Sequence, residues 1–280
     1  MATDAEYRAL LRKHADESWK LEQAKVHAAV SALRVYRNTV AGLAVDASNA
    51  PAVLRGVDTA TAEFAISLQG ELLPAIDEAA ALAGDMVSSS LSLAEVPSGL
   101  VDSRFAQSVK SLQTENVTKL TDDARRIVRR EVQLGAIGQD LEATTGNIAR
   151  TLRDRLTFRS IEARARAIAT TEISKAYNLT AINSIESAQA TNPDILVQWI
   201  HARFGVLQPR PAHVRLHLTT REKGATFSVN GHKAKGPHDP SLPASEVVHC
   251  SCRTVPNVKQ ENGQPFDLAG WASWPGLQPA

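Results

Sequence analysis

Cysteine is almost absent from this chain. The 280 residues hold two, Cys250 and Cys252, so a disulfide framework is excluded. One residue separates them, too close for an ordinary disulfide that closes a useful loop, which leaves metal binding or plain burial. Aromatic residues are scarce at 5%. An excess of one charge is missing as well: 31 Lys and Arg stand against 30 Asp and Glu, a formal net charge of +1. A surface that as a whole traps nucleic acid or acidic membrane is thereby excluded, and any basic site must be local. No stretch approaches the roughly 18 uninterrupted apolar residues of a membrane span. The start Met1-Ala2-Thr3-Asp4-Ala5-Glu6 lacks the basic-then-apolar order of a signal peptide, so the expectation is a protein made in a cytosol with no membrane partner.

What is there is apolar periodicity. The length fits one large or two modest domains, and two is the expectation. Over the first 160 residues, rich in Ala, Leu, Arg and Glu, apolar residues recur at helical spacing. Val26, Val30, Leu33, Val40 and Leu43 mark one face of a first long helix, and Phe64, Leu68, Leu72 and Ile76 a second. A third stripe runs through Phe105, Val109, Leu112, Leu120, Ala124 and Ile127, and Ile148, Leu152 and Leu156 begin a fourth. Breaks are expected at 46–51, at Ser88-Ser-Ser-Leu-Ser and at Pro97-Ser-Gly99. A last helix is predicted from Ile161 to Ala190, stopping near Asn192-Pro193 because proline disfavours helix at the residue before it.

From Val197 the pattern changes to short strands: Val197 to His201, then Ala225 to Val229 leading into the hairpin dipeptide Asn230-Gly231, with Val247-Val248 and Thr254-Val255 as further strand material. Trp271 and Trp274 lie among Gly and Pro in a tail that either anchors to another subunit or packs back on its own domain. The expected class is α+β, a mainly helical N-terminal region followed by a long helix on a small antiparallel sheet. The segments are a helical region at 1–160, a compact domain at 161–256 and an extended arm at 257–280.

Cys250 and Cys252, on a strand, would share a face, and two neighbouring thiolates suit a soft cation. His213, His217, His238, His249 and Asp239 precede them closely, and His213 and Asp239 are taken as candidates to complete a structural zinc site. His249 alternates to the opposite face. Buried, unligated cysteines are the competing reading, free cysteine being among the most buried residue types. Between Arg125 and Arg166 stand ten Arg and no Lys against five acids. Arg125, Arg126, Arg129 and Arg130 form one helical stripe, either a contact for DNA phosphates or a solvated, salt-bridged face.

One array is more specific than any of these alone. Arg164-Ala-Arg-Ala-Ile-Ala-Thr-Thr-Glu172 precedes Lys175-Ala-Tyr-Asn178, Trp199, Arg210-Pro-Ala-His213 and Cys250-Ser-Cys252-Arg253 before Pro256. In that order it resembles the C-terminal domain of the phage Mu F-like minor head proteins, over roughly Ile161 to Pro256. Thr170 departs from the family arginine, and Gln208-Pro209 stand where an acid commonly precedes the Arg-x-x-His loop. The resemblance makes Thr171, Glu172, Trp199, Arg210 and Arg253 signature positions and His213 the first choice of histidine ligand. Glu172 reads as a capping residue or a buried ion pair with Arg164, Arg166 or Arg253.

The resemblance further implies a head morphogenesis protein inside the virion near the portal, aiding assembly, packaging or ejection and not acting as an enzyme. Its partners would be the portal protein, with the major capsid protein and packaged DNA as further contacts. The rivals are a nuclease or toxin-like enzyme using His213 or Glu172, and a head-maturation protease using Ser245 and His213. No residue pattern completes a reaction centre for either.

Overall fold

The computed structural model describes residues 2–46, 50–96, 104–137, 156–201 and 210–269. Four long helices carry most of the described chain: α1 (Asp4–Asp46), α2 (Ala50–Leu93), α3 (Arg104–Ile137) and α4 (Leu156–Ala188). Short elements follow: β1 (Ile195–Ile200), α5 (Pro211–Arg215), β2 (Thr220–Arg221), β3 (Phe227–Val229), β4 (His232–Ala234), α6 (Ala244–Val247) and β5 (Arg253–Val258). The class is α+β, with the small sheet antiparallel. Among the described residues no helix is long and apolar enough to cross a membrane.

Helix α1 starts on a capping box. Thr3 Oγ1 accepts from the Glu6 backbone N–H, and the Glu6 carboxylate accepts from Thr3 N at 2.8 Å, so two otherwise orphaned N–H groups are satisfied. The break expected at 46–51 falls between α1 and α2. The one expected at Ser88 does not occur, because α2 continues to Leu93. Ser90 Oγ donates to the Met86 carbonyl one turn back at 2.7 Å, which lets a buried serine sit inside a helix. The last helix begins at Leu156 rather than Ile161 and ends at Ala188. Ile148, Leu152, Pro97, Gly99, Trp271 and Trp274 lie outside the described residues.

By packing, the chain divides into two compact units that interleave in sequence: Met1–Gln23, Ala75–Lys110 and Thr170–Ala280 form one, and Ala24–Pro74 with Ser111–Ala169 the other. The helical unit is built on the stripes seen in the sequence. Val26, Leu33 and Val40 of α1 meet Phe64, Leu68 and Leu72 of α2 and Leu120 and Ala124 of α3 in one core. Tyr36 stacks on Phe64 with ring centroids 5.1 Å apart. Across its surface Lys25 pairs with Glu71, Arg129 with Asp58 and Arg164 with Asp123.

The unit that carries the sheet orders its strands β2-β1-β5, all antiparallel, with Val197 opposite both Arg221 and Pro256. Strands β1 and β5 are buried along their whole length. Helix α4 covers β5 through Asn178, which donates to the Cys252 carbonyl at 3.1 Å and accepts from Thr254 N at 2.7 Å. The start of α1 belongs here too: Tyr7 stacks on Phe266 at 4.4 Å and its hydroxyl donates to the Pro256 carbonyl. The hairpin β3–β4 turns at Asn230 and Gly231, whose φ angles of 47° and 86° are the left-handed pair that the Asn-Gly dipeptide supplies. Val247 and Val248 are not a strand. Val247 ends α6, and Val248 starts the turn that leads into the cysteines.

Candidate metal centre

Cys250 and Cys252 lie just before β5 and not on it. The shared-face argument from strand alternation therefore does not apply, yet the thiols do converge. Two contacts fix the backbone ahead of them. Arg210 donates to the Val248 carbonyl at 2.6 Å, and Thr171 Oγ1 on α4 accepts from His249 N at 3.3 Å. His249 takes a positive φ of 56° and is exposed, which turns it away from the site.

The histidine arrives from α5. Pro211 at the first helical position fixes the start of that single turn, and His213 on it is 1% exposed. Its Nδ1 stands 3.4 Å from Cys250 Sγ and 3.5 Å from Cys252 Sγ. The ligand atoms of His213, Cys250 and Cys252 all lie within 4.8 Å of one another, the metal-ligand cluster found among the described residues. With zinc–sulfur bonds near 2.3 Å and zinc–nitrogen bonds near 2.0–2.1 Å, a tetrahedral site spaces sulfur and nitrogen by roughly 3.6 Å. The observed separations fit that edge, and two thiolates with an imidazole are the donor set that a soft or borderline cation selects.

Electrostatics agree with the geometry. Burial pushes the Glu246 carboxyl up, but hydrogen bonds from Asn230 and His213 outweigh it and hold the group below its ordinary range. An ionised carboxylate only accepts, so His213 Nε2 is the donor in its 2.9 Å contact with Glu246, which leaves Nδ1 for the thiols. Burial also lowers His213, yet the contacts with Cys250 and Glu246 raise it on balance. A hydrogen bond from Cys252 and the neighbouring histidines hold Cys250 well below the ordinary thiol value, whereas burial and the adjacent Cys250 push Cys252 above it.

Trp199 packs edge-on against both His213 and Phe227, with centroids 5.4 Å apart in each case. Arg253 does not reach Glu172. Its guanidinium pairs with Glu22 of α1 at 2.9 Å, donates to Ser174 at 3.0 Å and lies over the Tyr177 ring. A partner 231 residues away could not be read from local spacing. Glu172 is buried beside Lys175, 3.8 Å away on the same helix, in place of Arg164 or Arg166. Those two arginines pair instead with Asp123 and Glu162.

Asp239 does not join the cluster. Its carboxylate accepts from the backbone N–H groups of Ser241 and Lys235 at 2.8 and 2.7 Å, a turn-holding role that uses both oxygens. Sequence reading missed Glu246, Asn230 and His201. For His201 a signal existed, because it stands two residues beyond Trp199, on the same side of an extended chain. The arginine stripe is substantially paired: Arg125 with Asp122, Arg126 with Asp123 and Arg129 with Asp58.

Compared with family models, with curated proteins and with solved structures, the chain has no match in any of the three.

Proposed function

We propose that this chain is a phage minor head protein of the Mu F-like kind, associated with the portal inside the head and supporting assembly, packaging or ejection. The observation that carries the reading is that four of its five signature residues, scattered over 83 positions from Thr171 to Arg253, serve one small region, while Glu172 sits beside Lys175 on α4. Thr171 and Arg210 grip the segment before the cysteines, Trp199 backs the histidine, and Arg253 anchors the strand that leaves them. Every one of these roles is structural, and none of them presents a nucleophile or a general base to a cleft, which favours a folded scaffold over a nuclease or protease.

In this reading the trio holds a structural zinc that knits α5, the cysteine turn and β5 together. Buried Cys and His ligands with a carboxylate behind the histidine are the usual construction of such sites. The portal protein is the principal partner. The paired arginine stripe supports only a weak, salt-sensitive contact with packaged DNA, and contact with the major capsid protein is a further part of the proposal.

Co-expression of the full chain with the portal protein of the same genome, followed by size-exclusion chromatography, tests the function. Co-elution that persists at moderate salt is expected. Separate elution at every salt concentration, with both proteins folded, would overturn the portal assignment.

A further inference from the structure

We propose that His201 is the fourth ligand of the metal centre, an inference that rests on the zinc reading above. The trio is sunk in the unit, with His213, Cys250 and Cys252 exposed by 1%, 2% and 1%. Structural zinc sites are closed by four protein ligands, whereas an open position belongs to catalytic sites that water or substrate must reach. A site this enclosed therefore calls for one more protein donor.

His201 follows the last residue of β1 and is itself more than nine-tenths buried. Its Nδ1 lies 3.5 Å from Cys252 Sγ, the same separation that His213 Nδ1 shows to that sulfur. Two imidazole nitrogens thus approach one sulfur at close to the roughly 3.6 Å sulfur–nitrogen edge of a zinc tetrahedron. The His201 backbone is fixed on one side by β1, which pairs along its length with β5, and its N–H donates to His217 Nδ1 at 3.1 Å. Of the other nearby donors, the two carboxylates are engaged elsewhere, and His238 has one ring nitrogen committed. Asp239 holds its own turn, Glu246 holds His213 and Asn230, and His238 Nε2 donates to the Cys250 carbonyl at 2.8 Å. His201 reaches the trio through Cys252 and lies outside the group whose ligand atoms are all within 4.8 Å of one another. The set Cys250, Cys252, His213 and His201, two sulfurs and two imidazoles, therefore closes when the His201 ring moves in toward the cation.

X-ray absorption at the zinc edge counts sulfurs and imidazoles directly, and competition with a chromophoric chelator gives the affinity. For the full-length protein loaded with zinc, two sulfurs and two imidazoles are expected. His201→Gln should leave two sulfurs and one imidazole and weaken zinc binding beyond the roughly 10–100-fold loss that outer-shell changes cause. Should that variant fold poorly, His201→Cys keeps a ligand in place and should bind zinc with three sulfurs and one imidazole. His201→Gln with two imidazoles and unchanged affinity overturns the assignment, as does loss of an imidazole in His238→Gln. Wild-type protein that takes up no zinc overturns the metal reading itself, a result distinct from either of those.

Discussion

His213 donates from Nε2 to the Glu246 carboxylate over 2.9 Å while its Nδ1 faces both thiols. Carboxylate, imidazole and sulfur thus stand in line, and the carboxylate sets which ring nitrogen is free to bind. Glu246→Gln keeps the shape but removes the charge that orients the ring. Zinc affinity should fall by about 10–100-fold, with the far-ultraviolet circular dichroism of the protein unchanged. An unaltered affinity would mean that the ring is held by packing against Trp199 alone.

The Glu22–Arg253 pair is buried on both sides at 1% side-chain exposure. Arg253→Met leaves the buried Glu22 carboxylate with the Ser174 hydroxyl, 2.9 Å away, but without its countercharge, and should cost about 3–5 kcal/mol in urea unfolding. The double change Glu22→Leu with Arg253→Met should recover most of that loss, because desolvation offsets much of what an intact buried pair gains. A single change costing under about 1 kcal/mol would contradict the burial of this pair.

Gly236 allows a close approach. A methyl group there would stand 2.7 Å from Ile182 Cδ1 on α4 and 2.9 Å from Thr254 Oγ1 on β5. Gly236→Ala should therefore destabilise by about 1–3 kcal/mol through overpacking. Gly224→Ala meets no atom within 4 Å but sits at a φ of 77°, so its cost would come from backbone strain instead. Thermal unfolding of the two variants, with Ile182→Val added to each, separates the causes. Only the Gly236 variant should be relieved.

Arg126 has 77% of its side chain exposed, and Arg130 is exposed beside it. Replacing both by Gln should leave thermal stability within about 0.5 kcal/mol. If the stripe meets DNA, the slope of log affinity against log salt should drop by about one per lost phosphate contact. A slope that stays the same would remove this stripe from the DNA-binding account.

Helices were legible because their stripes are local: Val26, Leu33 and Val40 recur at helical spacing and do line one core. The Asn230-Gly231 turn was legible for a similar reason, since that dipeptide is distinctive, whereas the choice of His213 to meet the two cysteines came from the order of motifs in the family resemblance. Pairings set by tertiary structure were not. Nothing near Arg253 in sequence points to Glu22, and Glu246 gives no sign that it will sit behind a histidine 33 positions earlier. Asp239 misled because a carboxylate near cysteines looks like a ligand, whereas its two oxygens satisfy local backbone donors. The Ser88 run misled because serine is only a weak helix breaker that packing overrides, and the buried Ser90 hydroxyl finds an acceptor in the Met86 carbonyl.

The most direct test of the centre is metal content on the purified, reduced full-length protein, paired with its unfolding before and after chelation. One zinc per chain is expected, and a chelator should lower the unfolding temperature, since binding energy at such sites is folding energy. A metal-free protein with both thiols reduced, folded, and indifferent to added zinc would contradict the account. His213, Cys250 and Cys252 would then be a buried hydrogen-bonded cluster and nothing more.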